Sequence, residues 1–291
     1  MTRAVKETAT TLVSNATETL VVKASGKREV YNPEKLRESL LNSGASEKVA
    51  DEVVEHISGE LYNEISTDDI YRHAFNILKH LEGKVARSYS LRRAVMELGP
   101  SGFPFENFVA EIMKVKGFKT LTGQEVLGQC VPHEVDVVAW NEEKLIMIEA
   151  KFHNELGSKS DLKVALYIKA RFDDLADNVF NYGGRDRKVT DSWLVTNTKF
   201  SSTAIHYGVC KNLTMIGWNY PKIGNLQEMI EEEALHPITC LTSLSSDEKK
   251  SLVGAGMVLC SNVRDNRKML EQVLGSASKS QEVLNEIKEI C

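Results

Sequence analysis

Apolar and polar positions alternate with different periods along the chain, and the changes of period divide it into segments. Short apolar runs on either side of Ser25-Gly26 predict a strand pair over Leu20–Ala24 and Lys27–Tyr31, because glycine supplies the positive φ of a tight turn. Helical spacing of apolar residues follows, and the first helix is predicted to start at Pro33 with Asn32 as its cap. Three more helices are predicted over Glu47–Tyr62, Thr67–His80 and Gly83–Glu97.

The next segment has the pattern of an α/β domain. The breaker Gly99-Pro100-Ser101-Gly102 precedes it, and an amphipathic helix runs from Phe105 to near Gly117. The remaining order is strand, strand, helix, strand, strand, predicted over Val135–Trp140, Lys144–Phe152, 161–180, Ser192–Thr196 and Leu213–Trp218. Helices placed between strands indicate an α/β core.

The end of the chain has a helical pattern, in which Ser245 and Glu248 have the spacing of a capping box and Gly254-Ala255-Gly256 predicts a turn. The fold is therefore predicted to be α/β in its centre and mainly α elsewhere. The predicted parts are a disordered tail at 1–18, a helical domain at 19–98, a linker at 99–104, an α/β domain at 105–236 and a small helical region at 237–291.

Composition narrows the class of protein. With 42% hydrophobic and 26% charged residues the chain is typical of globular proteins, and it has no run of the roughly 18 apolar residues that a membrane helix needs. The five cysteines are far apart, which argues against a zinc site or disulfide framework and favours the reducing cytoplasm. At a net charge of -5, any surface that binds DNA has to be a local basic patch.

Two carboxylates and one lysine interrupt apolar strands. Asp136 lies in the first predicted strand of the α/β domain, and Glu149 and Lys151 lie near the end of the second. Since side chains alternate along a strand, Glu149 and Lys151 share one face. Buried charges need compensation, and two carboxylates around Mg²⁺ or Mn²⁺ with a nearby lysine suit phosphodiester hydrolysis. An ordinary surface ion pair is the competing interpretation.

These residues resemble the PD-(D/E)xK nuclease motif, and the surrounding pattern resembles the Mrr-like restriction endonuclease family. The resemblance implies a restriction-endonuclease-like α/β core with a mixed sheet, in which Asp136, Glu149 and the Ala150 carbonyl bind the metal. It implies that Lys151 activates water and that Glu106, on the preceding helix, assists the site. The chain departs from the family at Ala150, where glutamine is common.

Other polar side chains near this motif have two interpretations. His133 and His153 flank it, and each is either a ligand of the phosphate or metal site or a structural residue. The predicted helix over 161–180 has a basic half that either contacts DNA or forms a solvated face, with Lys163, Tyr167, Lys169 and Arg171.

The first helical domain carries motifs of a second family. Its segments 21–31, 33–36, 64–70 and 85–89 resemble the ATP-cone of ribonucleotide reductases and their regulators. The resemblance implies that ATP or dATP binds as an allosteric ligand, at a site lined by Lys23, Gly26, Glu29, Lys35, Thr67 and Arg87. Ala24 stands where the family usually has arginine. Because the chain has no Walker A pattern, we expect no ATP hydrolysis.

We therefore predict a cytoplasmic, metal-dependent DNA endonuclease under the control of an adenine nucleotide, without a membrane partner. A nuclease with one site per chain needs two sites to cut both strands, which favours a homo-oligomer such as a dimer. One alternative is an ATP-responsive DNA-binding regulator with a non-catalytic nuclease fold. Another is an interaction protein that does not bind DNA, which the acidic net charge favours.

Overall fold

The fold is given by a computed structural model that describes residues 19–23, 26–155 and 157–290, and the predicted tail at 1–18 lies outside them. The chain divides into two compact units, the first ending at Arg87 and the second beginning at Ser88. Helices and sheets occur in both, so the predicted mixture of α and β structure is confirmed. In the described residues, no helix has the length and apolar character needed to cross a membrane.

The first unit packs helices beside a small sheet. Its elements are β1 (Leu20–Val22), β2 (Arg28–Val30), α1 (Pro33–Leu41), α2 (Glu47–Glu60), β3 (Ile65–Ser66) and α3 (Thr67–Leu81). The sheet has the order β2-β1-β3, with β1 antiparallel to β2 and parallel to β3. The predicted cap is confirmed, since the side chain of Asn32 accepts a hydrogen bond from the N–H of Glu34 at the start of α1.

The helix α4 (Gly83–Met96) crosses the division between the units. Its second half belongs to the core of the second unit, where Leu91, Val95 and the following Leu98 are buried with Phe105 and Phe108. The boundary between the two compact units therefore lies earlier in the chain than the domain boundary predicted after Leu98. The breaker at Gly99 ends the helix, whereas burial of its apolar residues decides the unit to which the helix end belongs.

The second unit is built on a five-stranded mixed sheet. Its elements up to the last strand are α5 (Phe103–Val115), β4 (Lys119–Leu127), β5 (Pro132–Trp140), β6 (Leu145–Lys151), β7 (Lys159–Ser160), α6 (Leu162–Leu175), β8 (Val179–Tyr182), β9 (Arg185–Lys188), β10 (Asp191–Thr196), β11 (Lys199–Phe200), α7 (Ser202–Cys210) and β12 (Thr214–Ile216). The sheet order is β12-β10-β6-β5-β4, antiparallel from β4 to β6 and parallel from β6 to β12.

Helices cover both faces of this sheet. Helix α5 contributes Phe105, Phe108 and Val109 to one apolar cluster, which also contains Ile146 and Ile148 of β6. Helices α6 and α7 pack on the other face, in a cluster that contains Leu145 and Met147 of the same strand. The alternation of β6 residues between two clusters explains why this strand has a continuous apolar sequence.

Two parts of the sheet region differ from the predicted elements. The edge strand β4 was not predicted, because its apolar residues do not mark one buried face, with Leu121 and Leu127 exposed, and Gly123 interrupts it. The predicted helix over 161–180 is too long, since α6 ends at Leu175. The residues Val179–Tyr182 instead pair with Arg185–Lys188 as a two-stranded hairpin around Gly183-Gly184, which takes up positive φ.

The carboxyl-terminal region is helical, as predicted. Its elements are α8 (Leu226–Glu232), a 3₁₀ turn (Ile238–Cys240), α9 (Ser246–Gly254), α10 (Cys260–Asp265), α11 (Arg267–Leu274) and α12 (Ala277–Ile290). The predicted capping box of Ser245 and Glu248 is confirmed at the start of α9, and Gly256 has the positive φ of the predicted turn. A separate apolar cluster, with Leu252 and Leu270 fully buried, holds these helices together.

Candidate functional site

The strands β5 and β6 part at the residues predicted to be catalytic. The last pair of their ladder is Val137 with Ile148, so Asp136 and Glu149 are the next positions on the two strands. The Oδ2 atom of Asp136 accepts a hydrogen bond from the backbone N–H of Ala150 at 2.7 Å. Because N–H and C=O of one strand residue point to the same side, the Ala150 carbonyl is also directed toward β5.

An irregularity in the neighbouring strand accompanies this opening. The β4–β5 ladder pairs residues on either side of Gly123 and Asp136 but not these two residues themselves, and Gly123 has a φ of 58°. Val135 and Val137 would share a face in a regular strand, yet they pack in opposite apolar clusters. The strand is therefore irregular at Asp136, although the register of the β4–β5 ladder is the same on both sides of this residue.

Glu149 and Lys151 lie on the α6 face of the sheet, as the alternation predicts. Met147 packs on that face, whereas Ala150 is buried in the cluster on the α5 face. The Lys151 side chain is exposed, and its charge counteracts part of the rise in pKa that burial causes at Asp136 and Glu149. Asp136, Glu149 and Lys151 are therefore close enough to interact electrostatically.

Arg171 of α6 is the residue that the sequence did not assign to this site. Its Nη1 donates to the backbone carbonyl of Glu134 at 2.9 Å and forms an ion pair with Oε2 of Glu149. Its Nη2 donates to the hydroxyl of Tyr167 at 3.1 Å. The sequence does contain a pattern that indicates a buried position for Arg171. Positions 168, 171, 172 and 175 have the spacing of one helix face, and the residues at the other three positions are apolar and buried.

Three carboxylates of the site repel one another. Burial, together with the charges of Asp136 and Glu134, raises the pKa of Glu106 from 4.5 to about 7. Burial and the charge of Asp136 likewise raise the pKa of Glu149 to about 7, although Arg171 opposes the rise. Glu106 lies in the first turn of α5, so this helix contributes the acid that the resemblance implied. The site carries more negative charge than its arginine and lysine neutralise.

The described side chains of the candidate site do not already form a metal-binding cluster. Over the described residues, no group of three or more His, Cys, Asp or Glu side chains is arranged to hold a metal ion. Of the predicted ligands, Glu149 is engaged by Arg171 and Asp136 by the N–H of Ala150. A dication bound here would have to compete with the Arg171 ion pair.

Both flanking histidines have structural partners. The Nε2 of His133 lies 2.8 Å from Oδ2 of Asp174, and hydrogen bonds from the Cys130 thiol and the His133 ring hold the pKa of Asp174 at about 2. The backbone N–H and C=O of His153 are both bonded to the Asn197 amide, and its Nε2 lies 2.9 Å from Oγ of Ser160. These contacts favour the structural interpretation of each histidine.

Five of the six predicted nucleotide residues, all except Arg87, lie at one end of the sheet of the first unit. Glu29 pairs with Lys23 at 3.0 Å and with Lys35 at 3.1 Å, and the hydrogen bond from Lys23 is the main cause of the lowered pKa of Glu29. Gly26 has a φ of 77° in the turn between β1 and β2. Thr67 directly follows the end of β3, beside the end of β1.

The contacts of α3 and α4 bear on Thr67 and Arg87 of the predicted site. The cap of α3 is Ser66, whose hydroxyl accepts from the N–H of Asp69 at 3.0 Å, so Thr67 is not the capping residue. Arg87 lies on α4, but its side chain is outside the described part of the structure. Ala24, which stands in place of an arginine, is also outside it.

Two sequence families match the two ends of the chain. Residues 19–97 match the family described as ATP cone domain, which confirms the predicted ATP-cone. Residues 236–291 match the family described as AF1548-like, C-terminal. An uncharacterized protein of Archaeoglobus fulgidus is 36% identical over 183 residues, which are 62% of this chain and 99% of the relative. The chain belongs to the AF1548-like family.

A solved structure agrees with this placement of the AF1548-like chain. The crystal structure of AF1548, described as a protein of unknown function, has 35% sequence identity and a TM-score of 0.54 over 65% of this chain and 98% of that one. The structure of Can2 from Sulfobacillus thermosulfidooxidans in complex with cyclic tetra-adenylate has 13% identity and a TM-score of 0.32 over 72% and 63%, too low for any inference. The ATP cone supports a nucleotide ligand, whereas the Mrr-like resemblance stays a prediction.

Proposed function

We propose that the second unit is a metal-dependent DNA endonuclease with a restriction-endonuclease-like core. The observation that carries this proposal is the convergence of Asp136, Glu149 and Lys151 on adjoining strands, where β5 and β6 part and the N–H of Ala150 binds Asp136. The mixed sheet, antiparallel from β4 to β6 and parallel beyond, agrees with the core that the Mrr-like resemblance implies.

The chemistry of the donor set fits a hard dication. Asp136 and Glu149 offer carboxylate oxygens, and the Ala150 carbonyl is directed toward the same opening, so these three residues would hold Mg²⁺ or Mn²⁺. The raised pKa values of Glu106 and Glu149 mark a cluster short of positive charge. When bound, the metal supplies Lewis-acid stabilisation of the charge that develops on a phosphate.

The remaining residues have separate roles in this proposal. The exposed ammonium of Lys151 orients the attacking water and stabilises negative charge at the phosphate. Glu106, whose pKa is raised to about 7 by burial and by the charges of Asp136 and Glu134, can take up and release a proton at neutral pH. DNA is the substrate implied by the resemblance, and it would reach the site from the side on which Lys151 is exposed.

The first unit is proposed to be the regulatory part. ATP or dATP would bind where Lys23, Lys35 and Gly26 meet Thr67 and the amino-terminal end of α3, since ammonium groups and a helix amino terminus both favour phosphate. Nucleotide binding would then alter nuclease activity or assembly into a homo-oligomer, which makes the nucleotide an allosteric ligand. Cytoplasmic localisation belongs to the same proposal.

A second candidate is an ATP-responsive DNA-binding regulator whose nuclease fold does not cut. Two observations favour it. The Arg171 ion pair engages Glu149, and the described residues contain no preassembled group of three metal-binding side chains. An arginine that permanently neutralises the carboxylate would leave a binding surface without catalysis.

A plasmid assay distinguishes the two candidates. Supercoiled plasmid is incubated with the full chain and Mg²⁺ or Mn²⁺, with and without ATP or dATP. For the nuclease we expect metal-dependent nicking or linearisation, which Lys151→Met lowers by about 10²- to 10³-fold. Lys144→Met is the matched control, since Lys144 is an exposed lysine just before the start of the same strand and pairs with Asp191.

If the plasmid is not cleaved, DNA binding distinguishes the regulator from an interaction protein. DNA binding in chelator, without cleavage in either metal, would overturn the nuclease and favour the regulator. Absence of DNA binding under every condition would favour an interaction protein. Equal cleavage by wild type and Lys151→Met would also contradict the proposed role of this lysine.

A further inference from the structure

Arg171 is buried at the candidate site although it belongs to the helix with the basic half. Its side chain is only 13% exposed, and that of its ion-pair partner Glu149 is 15% exposed. The guanidinium also lies over the ring of Tyr167, with 5.1 Å between its carbon and the ring centroid. These contacts place a fixed positive charge against a proposed metal ligand.

The charges around Glu149 require such a counter-ion. Glu106 and Asp136 both raise the pKa of Glu149 in addition to the effect of burial. Of the two nearby cations, Lys151 is exposed, and its ammonium group forms no hydrogen bond or ion pair with the described residues. Arg171 alone bonds to a Glu149 side-chain oxygen there, so it competes with a dication for Oε2 of this carboxylate.

The contacts of Arg171 also show how it can leave. One nitrogen, Nη1, makes the bonds to Glu149 and to the Glu134 carbonyl, whereas Nη2 bonds to the Tyr167 hydroxyl. Tyr167 is 63% exposed and lies on the same helix, one turn before Arg171. Loss of the Nη1 contacts would therefore leave the guanidinium attached to a residue at the protein surface.

We propose that Arg171 is an exchangeable counter-ion: it holds Glu149 in the metal-free protein and is displaced by the divalent cation that binds Asp136 and Glu149. This inference rests on the cation site of the proposed function and adds the residue that sets the affinity of that site. Arg171 is a positioning residue here, because it acts through Glu149.

The direction in which metal affinity changes when Arg171 is removed distinguishes an exchangeable counter-ion from a residue that only supports the metal ligand. A residue that only orients a metal ligand lowers metal affinity about 10- to 100-fold when it is removed. A competing cation has the opposite effect, because its removal leaves Glu149 without a partner and available to the metal. Exchange therefore predicts tighter metal binding in a variant that lacks the guanidinium.

The test is titration of the full chain with Mn²⁺ alone, followed by electron paramagnetic resonance or calorimetry. We expect Arg171→Met to lower the Mn²⁺ dissociation constant by about tenfold or more, the opposite direction to loss of a supporting residue. The control is Lys169→Met, which removes one positive charge from the same helix, where Lys169 pairs with Asp173 at 2.6 Å. It should leave Mn²⁺ affinity near that of wild type.

A second variant covers the case in which Arg171→Met does not fold. Arg171→Lys keeps the charge but lacks the fork that joins Glu149 to Tyr167, so a smaller gain in Mn²⁺ affinity is expected. Unchanged or weaker Mn²⁺ binding in both variants, or an equal gain in Lys169→Met, would overturn the exchange while leaving the proposed cation site intact. Absence of Mn²⁺ binding in wild type and in both Arg171 variants would overturn the cation site as well.

Discussion

The Oδ2 atom of Asp136 accepts the backbone N–H of Ala150 at 2.7 Å, one residue beyond the last ladder pair of β5 and β6. The carboxylate thus takes the place of a backbone acceptor at the point where the strands part. Its other oxygen, Oδ1, makes no hydrogen bond with the described residues. One side chain therefore combines a structural contact with an oxygen available to a ligand, and substitution can separate the two.

Asp136→Asn tests the chemical role while it keeps the structural one. The amide oxygen of asparagine can still accept from Ala150, so we expect thermal stability near wild type and loss of metal-dependent cleavage. Asp136→Ala leaves the N–H of Ala150 without a partner, which should cost about 1–3 kcal/mol in the free energy of unfolding. Denaturant unfolding and the plasmid assay measure the two effects. Full cleavage activity in Asp136→Asn would contradict the assignment.

The pKa of Glu106 predicts a pH dependence of stability. Burial and the charges of Asp136 and Glu134 raise this pKa from 4.5 to about 7 in the folded protein. Folding therefore favours the protonated carboxyl group of Glu106. The contribution of this group to the free energy of unfolding is complete below the unfolded-state pKa of 4.5 and is lost as pH rises to about 7. In chelator, wild type should therefore lose thermal stability relative to Glu106→Gln across this window.

Glu111→Gln provides the control for that experiment, because Glu111 lies on the same helix and pairs with Lys114 at 2.6 Å. Melting temperatures of the three proteins are compared from pH 4.5 to 7.5 by calorimetry. The difference between wild type and Glu106→Gln should widen with pH, and that for Glu111→Gln should not widen over the same range. Parallel curves for wild type and Glu106→Gln would show that burial does not perturb Glu106.

The sequence predicted those parts of the fold that depend on strong local patterns. The Asn32 cap, the Ser245–Glu248 box and the apolar strand β6 all follow from residue types at fixed spacing. The edge strand β4 was missed because an edge needs neither two apolar faces nor regular alternation. The burial of the second half of α4 in the core of the second unit depends on contacts with residues distant in sequence, which local patterns do not indicate.

The candidate site was predicted only in part for the same reason. Asp136 and Glu149 stand out as charges within apolar runs, so their neighbouring positions follow from the strand pattern. The interaction of Arg171 with Glu149 joins residues 22 positions apart through the packing of α6 on the sheet. The sequence indicated only that Arg171 falls on the buried face of its helix, without indicating its partner.

Gly128 is required by the contacts of Asp174 with the β4–β5 turn. Asp174 accepts from the N–H of Cys130 at 2.9 Å and from that of Val131 at 3.3 Å. A Cβ at Gly128 would lie 2.1 Å from Oδ2 of Asp174 and 2.7 Å from the Val131 carbonyl oxygen. We expect Gly128→Ala to lower the free energy of unfolding by about 1–3 kcal/mol, measured with urea. Gly254→Ala, where nothing lies within 4 Å of the added atom, should be near neutral, and equal stability of the two variants would contradict the prediction.

Lys23 and Lys35 share the carboxylate of Glu29 in the ATP-cone domain, at 3.0 and 3.1 Å. In the proposed nucleotide complex both ammonium groups bind phosphate oxygens. Lys23→Met and Lys35→Met should each weaken ATP and dATP binding by about tenfold or more, because each removes a charge-assisted hydrogen bond. Calorimetric titration of the full chain measures this, with Lys48→Met, an exposed lysine of α2, as the control. Unchanged affinity in both variants would place the nucleotide elsewhere in the domain, whereas loss in Lys48→Met alone would exclude the Glu29 end of the sheet as the binding site.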